Sequence, residues 1–422
     1  MDKEFLKLVI VDQRRSIEER FKSKSMIVRD ASKDIKLENP TALIILGIRR
    51  CGKSTLSEQL LLGHKFGYVN FDDERLLGVK TNDLNTILQI FYELYGSNVK
   101  NIILDEVQLV QGWEPFVSRL RDTKKVIVTG SSSKLLSGEL STRLTGRHVD
   151  LLLFPFSFHE FLIYKKWKVP KAFSTLDRAE IINFMEEFIH DGGFPEHFTQ
   201  ERQIIRNIYN DVIIKDIVIR HKIKHIDSLR QVARFLVSNS AKEFTYSSLR
   251  SITQVKNLIT LTNWVRYLEE AYLLFKVERF SFKLKQTIIA PKKIYCVDNG
   301  IINEISPEFT ENKGRLMENI VAIELIRRSV NGNGFELFYW KDHTGREVDF
   351  VIKRGRAVDQ LVQVTYASSL ETVNIRELDA MVVASRDLRC DKLLLLTLDY
   401  EGSTIMDGKK IIFTPLWKWL LS

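Results

Sequence analysis

Leu43-Ile-Ile-Leu-Gly47-Ile48-Arg49-Arg50-Cys51-Gly52-Lys53-Ser54-Thr55 decides how this chain folds. Four apolar residues read as a buried strand, the spacing GxxxxGKS follows at once, and Thr55 to Leu62 has the pattern of an amphipathic helix. Glycines let the backbone curl so that its N–H groups point inward, and the helix presents its positive end to an anion. The whole run Gly47 to Thr55 is therefore assigned to phosphate binding. Lys53 is placed to reach the β- and γ-phosphates, and the Ser54 hydroxyl to ligate Mg²⁺.

About fifty residues on, Asn101-Ile102-Ile103-Leu104-Asp105-Glu106 is a second strand that ends in two carboxylates. Asp105 is expected to hold the magnesium and Glu106 to polarise the attacking water. Further strands are predicted at 66–71, 126–129 and 149–153, with helical pattern between most of them, so the core reads as a parallel α/β sheet. Thr129-Gly-Ser131-Ser-Ser133 closes the fourth of these strands. Ser131 is assigned there to sense the γ-phosphate or place the water, against a helix-capping role for any single serine. Arg143 and Arg147 are candidate arginine fingers, for the chain's own site or a neighbour's, with Arg147 preferred. Asp72, Asp73 and Glu74 form an acidic cluster that reads equally as a loop cap or as groups near the metal.

The remainder of the chain bounds the partners. Its 422 residues are enough for several domains, and 44% hydrophobic with 28% charged residues is an ordinary globular composition. No run of eighteen apolar residues predicts a membrane span, and the N-terminus lacks the pattern of a signal peptide. Cys51, Cys296 and Cys390 lie too far apart for a metal spacing or a disulfide framework, so a cytoplasmic protein is expected. The net charge of +9 sits in one place: residues 221–295 hold fourteen lysines and arginines against five acidic residues. That segment predicts two helices, a turn, a longer helix (258–274) and a β-hairpin (277–289), the order of a winged helix-turn-helix. Asn263, Arg266 and Tyr267 on the long helix, with Arg279, Lys283 and Lys285 on the hairpin, are set to grip DNA. A winged helix used for protein packing is the competing reading.

The division expected is 1–40 helix and linker, 41–155 ATPase core, 156–220 helical connector, 221–295 winged helix, and 296–422 a mixed α/β domain. The last carries Glu318 on a helix and Asp349 on a strand.

Together the chain resembles the archaeal and bacterial AAA-type P-loop ATPases fused to a PD-(D/E)xK nuclease-like C-terminal domain. The resemblance rests on Gly47 to Ser54, Leu104-Asp-Glu-Val-Gln108, Thr145-Gly-Arg147 to Phe158, Gly192-Gly-Phe-Pro-Glu196, Lys293-Ile-Tyr-Cys-Val-Asp298 and Glu347-Val-Asp-Phe350. It implies an ATPase using ATP and Mg²⁺, with a restriction-endonuclease-like fold at the end whose metal ligands match Glu318 and Asp349. The element that should read ExK instead reads Gln363-Val-Thr365, which removes the lysine and one carboxylate, so the domain is expected to have lost cleavage. Lys353, four residues after Asp349 on the same strand, is the one substitute the sequence offers. The leading expectation is ATP turnover coupled to DNA binding or remodelling. A nucleotide-gated switch for protein assembly without DNA and an ATP-regulated, metal-dependent nuclease are the alternatives, and a homo-oligomer is left open.

Overall fold

The computed structural model describes residues 1–23, 26–33, 35–37, 41–131, 147–198, 203–253, 255, 257–306 and 312–422. Ser132, Ser133, Arg143 and the Thr145-Gly146 pair of the sequence reading lie outside them. The chain divides into two compact units, Met1–Leu153 and Phe154–Ser422. No helix among the described residues is long and apolar enough to cross a membrane.

In the first unit five parallel strands form one sheet: β1 (Ala42–Leu46), β2 (Phe66–Asn70), β3 (Asn101–Asp105), β4 (Lys125–Gly130) and β5 (His148–Leu152). Their order is β2-β3-β4-β1-β5. Four of them, β1 to β4, are apolar almost throughout and buried, as strands covered on both faces must be. Helices at Lys53–Leu60, Asp83–Tyr95 and Glu114–Leu120 make the crossovers. The order matters for chemistry because β4 lies between β1, which carries the glycine loop, and β3, which ends in Asp105.

The N-terminal helix (Lys3–Ser23) is part of this unit rather than a separate arm. Leu6, Val9, Ile10 and Ile17 are buried against β2 and the Asp83–Tyr95 helix. The Gln13 amide also donates to the Asn70 carbonyl at 3.0 Å and accepts from the Asn70 N–H at 2.9 Å, extending the end of β2.

In the second unit a nine-stranded sheet runs β13-β14-β12-β11-β10-β9-β7-β8-β6. Its strands are β6 (Lys242–Phe244), β7 (Leu274–Arg279), β8 (Lys292–Cys296), β9 (Glu336–Lys341), β10 (Glu347–Arg354), β11 (Ala357–Val364), β12 (Leu393–Thr397), β13 (Gly402–Met406) and β14 (Lys409–Pro415). β7 pairs in parallel with β9, Glu278 opposite Phe338, so one sheet runs across residue 295. The order helix (Ile226–Ser238), β6, helix (Tyr246–Ile252), helix (Leu258–Glu270), β7, β8 is present, with β8 between β6 and β7.

Two expectations in this region are corrected. The long helix stops at Glu270 rather than Leu274, because Tyr272 takes a left-handed φ of 57° and turns the chain into β7. The second half of the expected hairpin is a helix, Leu284–Ile289, and β7 pairs instead with β8 beyond it. Leu284-Lys-Gln are good helix formers, and the Ser281 hydroxyl accepts the Lys283 N–H at 3.1 Å to start the turn.

Candidate functional site

Local backbone geometry makes the glycine loop. Gly47 has φ 146° and Gly52 φ 101°, and a Cβ on Gly47 would stand 2.1 Å from the Leu153 carbonyl oxygen. No side chain fits there. Lys53 opens the helix beneath the loop, buried, with its ammonium donating to the Gly47 and Ile48 carbonyls at 3.1 and 3.2 Å. Ser54 and Thr55 follow in the first turn, half-buried. Arg29, a buried residue the sequence reading passed over, donates to the Cys51 carbonyl at 2.7 Å and braces the loop from outside. The Cys51 thiol packs on the Leu153 carbonyl at 3.3 Å, and burial raises its pKa, which marks a structural cysteine. Arg49 is paired with Asp72 at 2.9 Å. Asp73 caps a short helical turn and binds Arg75 and Gln13, which assigns that carboxylate to structure.

Across β4 stand the two acids. Asp105 is fully buried, accepting from the Tyr68 hydroxyl at 2.8 Å and from the Thr129 hydroxyl. Burial first, and the Glu106 carboxylate second, raise its pKa; hydrogen bonds from Thr129, Ser54 and Tyr68 oppose the rise. A buried carboxylate served by hydroxyls, one of them the first-turn serine, fits a divalent ion that would neutralise it. Glu106 occupies the left-handed region at φ 52°, held by its N–H donating to Thr129 Oγ1 at 3.1 Å. Gln108 donates to its carboxylate, and the Lys53 ammonium stands 3.6 Å from the other oxygen.

Thr129 thus binds both acids through one hydroxyl, where the sequence reading singled out Ser131 in the same run. Ser131 is buried at the end of this strand. Arg147, the preferred candidate finger, lies elsewhere in the sheet. It precedes β5 at the level of Ala42, whose N–H donates to the Arg147 carbonyl at 3.3 Å. That is the opposite edge of the sheet from Gly47, roughly 20 Å along the strands. The Arg147 backbone therefore lies at the opposite end of β1 from the glycine loop.

The second unit holds a second carboxylate cluster. Glu318, on the helix Lys313–Arg328, and Asp349, on β10, meet at an ammonium that the sequence reading did not assign. Lys293 Nζ lies 2.8 Å from Glu318, 2.6 Å from Glu347 and 3.1 Å from Asp349. The Tyr295 hydroxyl donates to Glu318 at 2.8 Å. Asp349 also accepts the Val364 N–H, while its own N–H donates to Gln363 at 3.1 Å. Burial, then the Asp349 charge, push the Glu318 carboxyl upward, and Lys293 pulls it back. Lys353 does not join: it pairs with Glu336, and the register of β10 shifts just before it.

A third grouping explains two sequence motifs as structure. The Gly193 N–H donates to Asp298 at 2.6 Å, and the Gly193 carbonyl accepts from Phe156 N–H at 2.7 Å. Asp298 also caps the next helix through Gly300 N–H at 2.9 Å. A Cβ on Gly193 would stand 2.4 Å from the Phe156 carbonyl oxygen. The Gly-Gly-Phe-Pro and Cys-Val-Asp runs are two halves of one buried junction.

The sheet order, glycine loop and acid pair of the first unit define an AAA-type P-loop nucleotide-binding domain. Residues 39–162 match the family model described as AAA domain. Residues 183–312 and 313–419 match two domains of unknown function, DUF8612 and DUF4143. The chain belongs to the family of an uncharacterized protein of Methanocaldococcus jannaschii, to which it is 35% identical over 420 residues, covering 95% of this chain and 92% of that one. An uncharacterized protein of Haemophilus influenzae is 28% identical over 394 residues, covering 89% of this chain and 93% of the other. Among solved structures, the Aeropyrum pernix ORC1 protein in complex with DNA matches at 12% identity and a TM-score of 0.29, over 69% of this chain and 89% of that one.

Proposed function

We propose that this chain binds ATP with Mg²⁺ and hydrolyses it. The supporting observation is the meeting of Lys53, Asp105, Glu106 and Thr129 at the end of the parallel strands that carries the glycine loop. Lys53 exchanges its two carbonyl contacts for phosphate oxygens. Ser54 and Asp105 would hold the magnesium, which would supply charge neutralisation at the phosphates. Glu106, released from Lys53 as the ammonium turns to phosphate, orients a water for attack, and Thr129 fixes its backbone.

The turnover is coupled to DNA through residues 221–295, read as a winged helix. Lys222, Lys224, Arg230, Arg234, Lys242, Arg250, Arg266, Lys283 and Lys285 are all exposed there. Such a surface binds phosphates with steep salt dependence. Residues 156–220 act as a connector, and 296–422 as a nuclease-like domain without cleavage. The test is steady-state ATP turnover with and without duplex DNA, with Lys53→Ala as the blank. The expected result is a DNA-stimulated rate that Lys53→Ala abolishes, and DNA affinity that falls with salt and with the pair Lys283→Glu and Lys285→Glu. DNA affinity untouched by that pair would remove the winged-helix reading.

One observation favours a second reading, a nucleotide-gated switch for protein assembly. The helix Leu284–Ile289 and its approach expose Phe282 at 74%, Leu284 at 74%, Ile288 at 60% and Ile289 at 71%. Clustered exposed apolar groups mark protein contacts more than phosphate contacts. Equal ATP turnover with and without DNA would put this reading ahead.

A further inference from the structure

Three carboxylates drawn from a helix and a strand and converging on one point are the kind of donor set a hard cation takes. Glu318 comes from a helix, and Glu347 and Asp349 from alternate positions of β10. Around that point the Tyr295 hydroxyl and the Val364 N–H fix two of the three carboxylates, so the cradle is built and not a chance meeting of surface chains.

The point already has an occupant. Lys293 has three N–H donors, and a carboxylate oxygen lies within 3.1 Å of its nitrogen on each of three acids. Its side chain is 2% exposed. Distances of 2.6 to 3.1 Å suit an ammonium, whereas a magnesium ion needs oxygens near 2.1 Å in an octahedron. Lys293 sits on β8 with β6 on one side and β7 on the other, and its ammonium lies 5.7 Å from the Tyr339 ring centre. A metal ion entering here would share a buried pocket with a fixed positive charge. The second oxygen of Glu347 is already taken by Lys341 at 3.0 Å.

We propose that Lys293 is the resident cation of this cradle, holding by its own ammonium the place a divalent metal would need, so that the C-terminal domain keeps its carboxylates as a metal-free ion cluster. The inference deepens the reading of that domain as non-cleaving and is separable from it. Plasmid nicking tests cleavage, while the present claim concerns what occupies the cradle. The ATPase and DNA readings can fail without touching it.

The test is Mn²⁺ binding by electron paramagnetic resonance on the full nucleotide-free chain, with Asp349→Asn as the subtraction, so that manganese held elsewhere cancels. Wild type and Asp349→Asn are expected to hold the same number of ions. Lys293→Ala, with the ammonium deleted, is expected to gain about one Mn²⁺ per chain, lost again in Lys293→Ala with Asp349→Asn. Wild type holding one ion more than Asp349→Asn would overturn the proposal, as would a folded Lys293→Ala chain that gains none. Should Lys293→Ala fail to fold, the wild-type comparison decides alone.

Discussion

Replacing Thr129 by valine tests the nucleotide site at its least obvious member. The swap keeps volume and branching and deletes one hydroxyl. In the structure that hydroxyl donates to Asp105 and accepts the Glu106 N–H at 3.1 Å. Asp105 keeps the Tyr68 hydroxyl at 2.8 Å, so its carboxylate is not orphaned. The loss is one hydrogen bond to a carboxylate, about 1.5–3 kcal/mol, and one stranded N–H, about 1–3 kcal/mol. Folding stability should therefore fall by about 3 kcal/mol. Turnover should fall further than binding. Glu106 sits at φ 52°, a region that costs a side-chain-bearing residue about 1–2 kcal/mol unless something holds it. Freed of Thr129, its backbone relaxes and moves the carboxylate by something like 1 Å, a displacement worth about 10²-fold in rate. The phosphate loop and Lys53 are untouched, so affinity for a fluorescent ATP analogue should stay within about threefold. The assay is phosphate release at saturating ATP, with Thr129→Ser as the variant that restores the hydroxyl. A folded Thr129→Val chain turning over within about threefold of wild type would refute the reasoning.

Three further expectations concern the second unit. Gly193→Ala puts a Cβ 2.4 Å from the Phe156 carbonyl oxygen and disturbs the bond to Asp298, so it should cost about 3 kcal/mol. Gly345→Ala, at φ 91° with open space around its Cβ, should cost only about 1 kcal/mol; hydrogen exchange of segments 188–198 and 342–348 reads each change locally. Asp298 is a buried carboxyl pushed up from 3.8 to about 6, chiefly by burial. A raised folded-state value means its contribution is complete below about pH 4 and lost as pH rises through 6. The stability of wild type relative to Asp298→Asn, from urea midpoints, should accordingly fall by up to about 3 kcal/mol between pH 4 and pH 7.

What the sequence made legible follows the reach of each interaction. The glycine loop, Lys53 and the Asp105-Glu106 pair were readable because a strand, a turn and a helix start fix them within a few residues of one another. Thr129 was harder: its run was visible, but only the order of β3 and β4 shows that the threonine, and not Ser131, lies beside Asp105. The place of Arg147 was hidden for the same kind of reason. An arginine before a strand looks like an arginine after one until the parallel pairing with β1 gives the edge it occupies. The helix at Leu284–Ile289 was misread because Phe282-Lys-Leu-Lys285 alternates apolar and basic as a strand would, while the Ser281 hydroxyl starts a helical turn at Lys283.

Lys293 shows why a missing motif residue in a sequence is not a missing group in a site. Gln363-Val-Thr365 lies where the motif places its lysine, and Lys353 is near Asp349 in sequence but pairs with Glu336. The ammonium comes instead from 56 residues earlier, on β8, with two strands between it and β10 in the sheet, and reaches Asp349 at 3.1 Å. Lys293 and Tyr295 are two apart, so they share a face of β8 and both reach Glu318. The sequence did carry that signal, Lys293 and Tyr295 alternating with Ile294 on a short strand. A lysine buried on a central strand is expensive unless carboxylates receive it. Glu318, Glu347 and Asp349 were the acids able to do so, and their bond to Lys293 ties the basic 221–295 segment to the C-terminal sheet by charge as well as by strand pairing.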